Sequence, residues 1–156
     1  MLSPVLFRLS LVAGLIGLVM SIGVHVLALS GAPLPQAVFA LHLGVFVAFG
    51  PVVFAMVKSA HSGGYDLQDF RQQRAFYREF LGAVPRWQRV ALYAAFAYFL
   101  GHFAYSFAGF FLGWMDPDVP PLRFFSAGWI AAYLGSAVLA KRLLSGTTTD
   151  RAPRAV

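Results

Sequence analysis

Three histidines stand inside long apolar runs: His25 in MSIGVHVLAL, His42 in FALHLGVFVAF and His102 in YFLGHFAYSF. A neutral imidazole is a ready transition-metal ligand and an axial ligand of haem iron. Two or three of them could therefore form a cofactor site, holding haem b or a transition metal, from His42 and His102 with His25 as a third member. The sequence does not say which metal. Tyr98 and Tyr105 flank His102 at four and three residues, so one helix face carries a Tyr98–His102–Tyr105 stripe with Ser106 on its border. A phenol beside an imidazole can relay a proton or line a path for a small solute.

The simpler chemistry is hydrogen bonding between helices, worth about 0.6–2 kcal/mol for each bond in a membrane. It is the favoured account, because each segment carries one histidine and none has the HxxxH spacing of a paired ligand set. No catalytic residue is assigned. The chain has no cysteine, which removes thiolate metal sites, iron–sulfur clusters and cysteine nucleophiles. It also lacks a glycine-rich phosphate loop, HExxH and GxSxG. These absences argue against an enzyme.

The elements that must position these side chains follow from composition. Of 156 residues, 59% are hydrophobic and 12% charged, against roughly 25% charged in soluble domains. No charged residue occurs between Arg8 and Lys58, between Arg89 and Asp116, or between Arg123 and Lys141. About 20 apolar helical residues cross the hydrocarbon core, and the first gap is divided by turn residues at SGAPLPQ. The expectation is an all-α polytopic membrane protein with four transmembrane helices, about 8–29, 36–58, 88–112 and 123–143, forming two antiparallel hairpins. Residues 1–145 make the membrane domain and 146–156 a disordered tail. The absence of charge within the spans argues against a transporter with a charged relay.

The net charge is +6. Apart from Arg123, all Lys and Arg residues fall on the side of the termini and the 59–87 loop. The positive-inside rule then makes that side cytoplasmic and the host a bacterial inner (plasma) membrane. Because topology explains the charge, nucleic acid is not expected as a partner. The first apolar run exceeds the about 7–15 residues of a signal-peptide core, so it reads as a retained anchor. Measured at 1.5 Å per residue from the outer ends, His25 lies about 6 Å deep, His42 about 9 Å and His102 about 15 Å.

Within the cytoplasmic loop, DLQDFRQQRAFYREFLGAV has helical periodicity over about 66–82. Leu67, Phe70, Tyr77, Leu81 and Val84 share a face, Asp66 caps the start, and Gly82 with Pro85 stops it. A basic amphipathic helix so placed lies in the headgroup layer with its arginines on anionic lipid. A membrane-protein partner or a second copy of the chain is the alternative contact.

Small residues mark the packing faces: Ser10, Gly14, Gly17, Ser21, His25 and Ala28 in the first span, and Ala40, Gly44, Ala48 and Ala55 in the second. Gly128, Ala132 and Gly135 do so in the last. A phenylalanine-rich face that includes Phe103 points the third span toward lipid. Pro51 removes the hydrogen bond to the Val47 carbonyl and should kink the second span. Trp87, Trp114 and Trp129 read as interfacial anchors, and the Asp116–Asp118 pair, among prolines, as part of a rigid turn.

The segments LHLGVFVAFGP (Leu41 to Pro51), VPRWQRVALYAAFAYF (Val84 to Phe99) and FSAGWIAAY (Phe125 to Tyr133) resemble those of a family of small four-helix bacterial integral membrane proteins with no established activity. The resemblance implies fold and membrane location. In that family a histidine precedes the tryptophan of the last motif; here the position is Gly128. Any site built on the family's histidines would lack that member in this chain.

The leading expectation is a non-enzymatic accessory or interaction protein of the inner membrane. A haem- or metal-binding redox protein and a small channel or carrier are the alternatives.

Overall fold

A computed structural model describes residues 4–32, 38–114 and 125–149, which form five α-helices and no strand. They are α1 (Pro4–Leu29), α2 (Val38–Ser62), α3 (Phe70–Gly82), α4 (Arg86–Phe111) and α5 (Ser126–Thr149). Among the described residues α1, α2 and α4 are long and apolar enough to cross a membrane. The uncharged part of α5, Ser126 to Ala140, is shorter than the about 20 residues a span needs. The helix continues through Lys141 to Thr149, so residues 146–149 are helical rather than tail. The last seven residues, the Asp116–Asp118 turn and Arg123 lie outside the described residues.

Helix α5 is the centre of the fold. It packs against α1, α2 and α4, most extensively against α1, and α1 also packs on α2. Close approach is possible because the contact faces carry small residues. The buried face of α1 is Phe7, Ser10, Gly14, Gly17, Ser21, Val24, His25 and Ala28. A Cβ on Gly14 would lie 3.0 Å from the Ala137 backbone nitrogen, so nothing larger than hydrogen fits there without moving α5.

Tyr133 fills the joint between three helices. Its ring occupies the space that a Gly17 side chain would take, and its hydroxyl the space of a Gly44 side chain. That hydroxyl donates to the Leu41 carbonyl of α2 at 2.6 Å, and one turn on Ser136 Oγ donates to the Ala48 carbonyl at 2.7 Å. Both bonds satisfy polar groups that hydrocarbon cannot. In α2 the buried residues are Val38, Leu41, Ala48, Val52, Ala55 and Ala60, while Ala40 is exposed and falls off the expected packing face. The helix runs through Pro51 as one element.

These contacts fix the registers. Gly14 and Gly17 meet Ala137 and Tyr133, so α1 and α5 are antiparallel; Gly128 lies under Phe99 and Gly135 near Leu92, so α4 and α5 are antiparallel as well. Stepping along each helix at about 1.5 Å per residue brings Arg8, Arg86 and Lys141 to one level, within about a turn. Among the described residues, the basic side chains at these helix ends therefore gather at one end of the bundle.

Helix α3 covers that end, by a face that shares only part of the expected row. Phe76 and Phe80 are buried against Val52, Ala60, Leu139 and Ala140, while Phe70 is 72% and Tyr77 39% exposed. Gln72 and Gln73 flank the Phe76–Phe80 stripe and obscure its periodicity; of the row beginning at Leu67, Leu67 and Leu81 pack against the same cluster and Val84 is buried, while Phe70 and Tyr77 point outward. The cap is Asp69, which accepts from the Arg71 N–H at 2.8 Å; Asp66 instead accepts from the Gln68 N–H in the preceding turn. Glu79 accepts a hydrogen bond from the Tyr65 hydroxyl, tying α3 back to the end of α2.

Two measurements check this packing. Gly17→Ala should destabilise the protein by about 1–3 kcal/mol, the usual cost of overpacking, read as a lower thermal midpoint in detergent. Independent costs add within about 0.5 kcal/mol, so a larger shortfall in the Gly17→Ala/Tyr133→Ala double variant ties the cost to the ring; full additivity would refute it. The second concerns pH. The hydrogen bond to Glu79 and its negative charge raise the Tyr65 pKa above the ordinary 10.0. A raised folded-state value stabilises below the unfolded pKa and is lost as pH climbs through the folded one. The attachment of α3 should therefore loosen at alkaline pH above 10.0, seen as faster proteolysis of residues 63–70, and Tyr65→Phe should abolish that step.

Candidate polar site at the far end of the bundle

The packing stripe of α1 carries His25 near its end, two turns beyond Gly17. The same register brings Ser126, two turns before Tyr133, against it. His25 is 5% exposed, and both ring nitrogens are engaged: Nδ1 lies 2.8 Å from Ser126 Oγ and Nε2 2.7 Å from Tyr98 Oη. A neutral imidazole has one N–H and one lone pair. The chain thus runs one of two ways: Tyr98 O–H donates to Nε2 while Nδ1–H donates to Ser126, or every direction reverses with the tautomer.

His102 is four residues after Tyr98 on α4 and joins from the same side. Its ring meets that of His25 edge-on at 5.1 Å between centroids, and Tyr98 lies 6.1 Å away. His102 Nδ1 is buried and has no hydrogen-bond partner among the described residues. The site is therefore His25, Tyr98, His102 and Ser126, contributed by α1, α4 and α5.

Other expected members lie elsewhere. His42 is exposed on α2, with its ring 6.4 Å from Trp129 and 6.2 Å from Phe46. It does not meet the other two histidines. Tyr105 is 68% exposed and stacks on Trp114 at 6.4 Å. The buried residues of α4 are Gln88, Ser106 and Gly109, and Tyr105 lies about 100° round the helix from Ser106. Ser106 is buried and the stripe bends toward it. Phe103 turns inward, half-buried, with its ring 5.6 Å from Phe125. Trp129 is 4% exposed in the core beside Val24, Val38 and Leu41, so it is no interfacial anchor; Trp87 and Trp114 are exposed. Gly128 is covered by the Phe99 ring, 3.0 Å from where a Cβ would stand. Ser126 is the member of this cluster that the sequence alone did not single out. Its one signal is position: a hydroxyl opening an apolar run, level with His25 once the hairpins are packed.

Chemically, His25 is saturated by its neighbours. Coordinating a metal would release Ser126 or Tyr98. Among the described residues no three His, Cys, Asp or Glu side chains stand together as a metal set. Comparison with protein-family models, with curated proteins and with solved structures returns no match, so the site is read from its own geometry.

If His25 acts as the shared partner, Ser126→Ala and Tyr98→Phe should each cost about 0.6–2 kcal/mol in detergent, and neither should cost anything further once His25 is Phe. Unequal backgrounds of that kind are read from double-mutant thermal unfolding. Equal costs with and without His25 would show that the two hydroxyls act elsewhere.

Proposed function

We propose that this chain is a four-span protein of a bacterial inner membrane, with both termini cytoplasmic, that acts as a non-enzymatic accessory or interaction subunit. The family resemblance of the segments at Leu41, Val84 and Phe125 supports the architecture. Helix α5 is the fourth span. Sheathed by α1, α2 and α4, it meets little lipid and needs less apolar length than its neighbours. The common level of Arg8, Arg86 and Lys141 supports the orientation.

The observation that carries the accessory role is the isolation of α4. Helices α1, α2 and α5 pack mutually, whereas the extensive packing of α4 is with α5. Its remaining face, with Tyr93, Phe96, Leu100, Phe107, Phe110 and Phe111, is exposed. The polar cluster holds α4 to the bundle by hydrogen bonds and leaves this aromatic face for another membrane helix.

Because the chain lacks cysteine, single cysteines give a clean topology test. A cysteine at Ser30 should react with an impermeant maleimide in intact cells, and one at Gln72 or Ser145 only after permeabilisation; the reverse pattern removes the orientation. For the role, a photo-crosslinking residue at Leu100 or Phe107 should give protein adducts of discrete mass, and one at Ile16 on α1 lipid adducts alone. Lipid adducts at all three positions would defeat the accessory reading.

A second reading, a haem- or metal-binding redox protein, has one observation in its favour: the 5.1 Å edge contact between His25 and His102. Protein purified in mild detergent decides it. A Soret band or bound metal that disappears in His102→Ala supports the redox reading, and a colourless, metal-free protein removes it.

A further inference from the structure

At the basic end, three helices meet at one corner: α3 ends, α4 begins and α5 passes at Lys141 and Arg142. The Arg142 guanidinium stands 5.6 Å from the centre of the Phe80 ring on α3. Its Nε is buried and has no hydrogen-bond partner among the described residues. Arg86 and Arg89 open α4 just after the end of α3, while Arg78, two residues before Phe80, stands on the far side of α3. The described carboxylates of this end are engaged elsewhere. Asp69 caps α3 and accepts from Gln72, Asp66 holds its own turn, and Glu79 accepts from Tyr65. The corner thus holds the half-buried Arg142 cation with Arg86 of α4 near its level, at the edge of the hydrocarbon.

We propose that this corner binds the phosphate of an anionic phospholipid, which bridges Arg142 of α5 to the arginines at the α3–α4 joint and clamps α3 over the bundle. A guanidinium offers paired N–H donors in a planar fork that matches phosphate oxygens. A half-buried one at the membrane margin is stabilised most by a fixed anion. The lipid phosphate is the anion present at that depth. The proposal rests on the membrane reading given above. A nanodisc exposes both faces, however, so its test does not depend on which face is cytoplasmic, and the cysteine labelling can fail separately.

The experiment is hydrogen exchange of α3 amides, Phe76 to Leu81, in nanodiscs of phosphatidylglycerol and of phosphatidylcholine. A cation near an anionic surface gains about fivefold in binding, so exchange should be at least about fivefold slower in phosphatidylglycerol. Arg142→Gln should remove that protection. Arg71→Gln, at the opposite end of α3, should keep it. Equal exchange in the two lipids overturns the proposal, as does equal loss in Arg142→Gln and Arg71→Gln, which would mean diffuse surface attraction. Protection in phosphatidylcholine on adding inorganic phosphate, or on adding an acidic peptide, would assign the corner to a soluble anion and overturn the lipid. If Arg142→Gln does not fold, Arg142→Lys replaces it: the charge stays, the fork is lost, and the protection should fall.

Discussion

The seat of Tyr133 between Gly17 and Gly44 is the constraint from which the rest of this bundle follows. In a membrane, helices gain nothing from hiding apolar surface, since lipid is as apolar as they are. Association must come from close contact and from polar groups that find partners. Tyr133 supplies both at one point: its ring fills the gap left by two glycines, and its hydroxyl bonds the Leu41 carbonyl. With that ring placed, α1 and α5 have one antiparallel register and α2 one depth. Seven residues back along α5 is Ser126, and eight forward along α1 is His25, so the hydrogen bond between them is a consequence of the same register.

The polar cluster then closes the other side of α5. Tyr98 reaches His25 only if α4 crosses at the level where Phe99 lies over Gly128, and the Phe99 ring needs a residue without a Cβ at that point. A histidine there would displace the ring and with it the approach of α4. Gly128 is therefore a packing residue in this chain. The seat of Phe99 over Gly128 and the two-hydroxyl environment of His25 are two sides of one crossing of α4 over α5.

Much of this was legible in the sequence, and the reasons for the failures are physical. The α1 stripe of Ser10, Gly14, Gly17, Ser21, His25 and Ala28 is read directly, because small and polar residues on a membrane helix have no reason to face lipid. The aromatic residues misled. Trp129 and Phe103 are as much at home against lipid as inside, and only the position of α5 decides between them. Tyr105 misled for another reason: helical spacing groups residues over a wide arc, and Tyr105 stands about 100° round the helix from the buried Ser106. In α3, periodicity was present on two faces, and the bundle end selected Phe76 and Phe80. Ser126 was invisible because a serine at the start of a helix has many uses, and its partner is 101 residues away.

The same glycines leave a mark on the outside of the molecule. Ala13, Ile16, Gly17, Met20, Ala40, Leu41, Gly44 and Val47 line a groove of about 370 Å³ beside α1 and α2, with Tyr133 at its floor. Tyr133 is only 2% exposed, so the neighbouring helices already cover its ring, and a side chain at Gly17 or Gly44 would collide with it. In water such an apolar hollow would weaken the fold. Facing hydrocarbon it carries no such penalty, since flexible lipid chains fill it and keep the dispersion contacts that a void would lose. Two glycines that would be liabilities in a soluble helix are thus the residues on which the packing turns: they admit the Tyr133 ring and the close approach of α1 and α2 to α5.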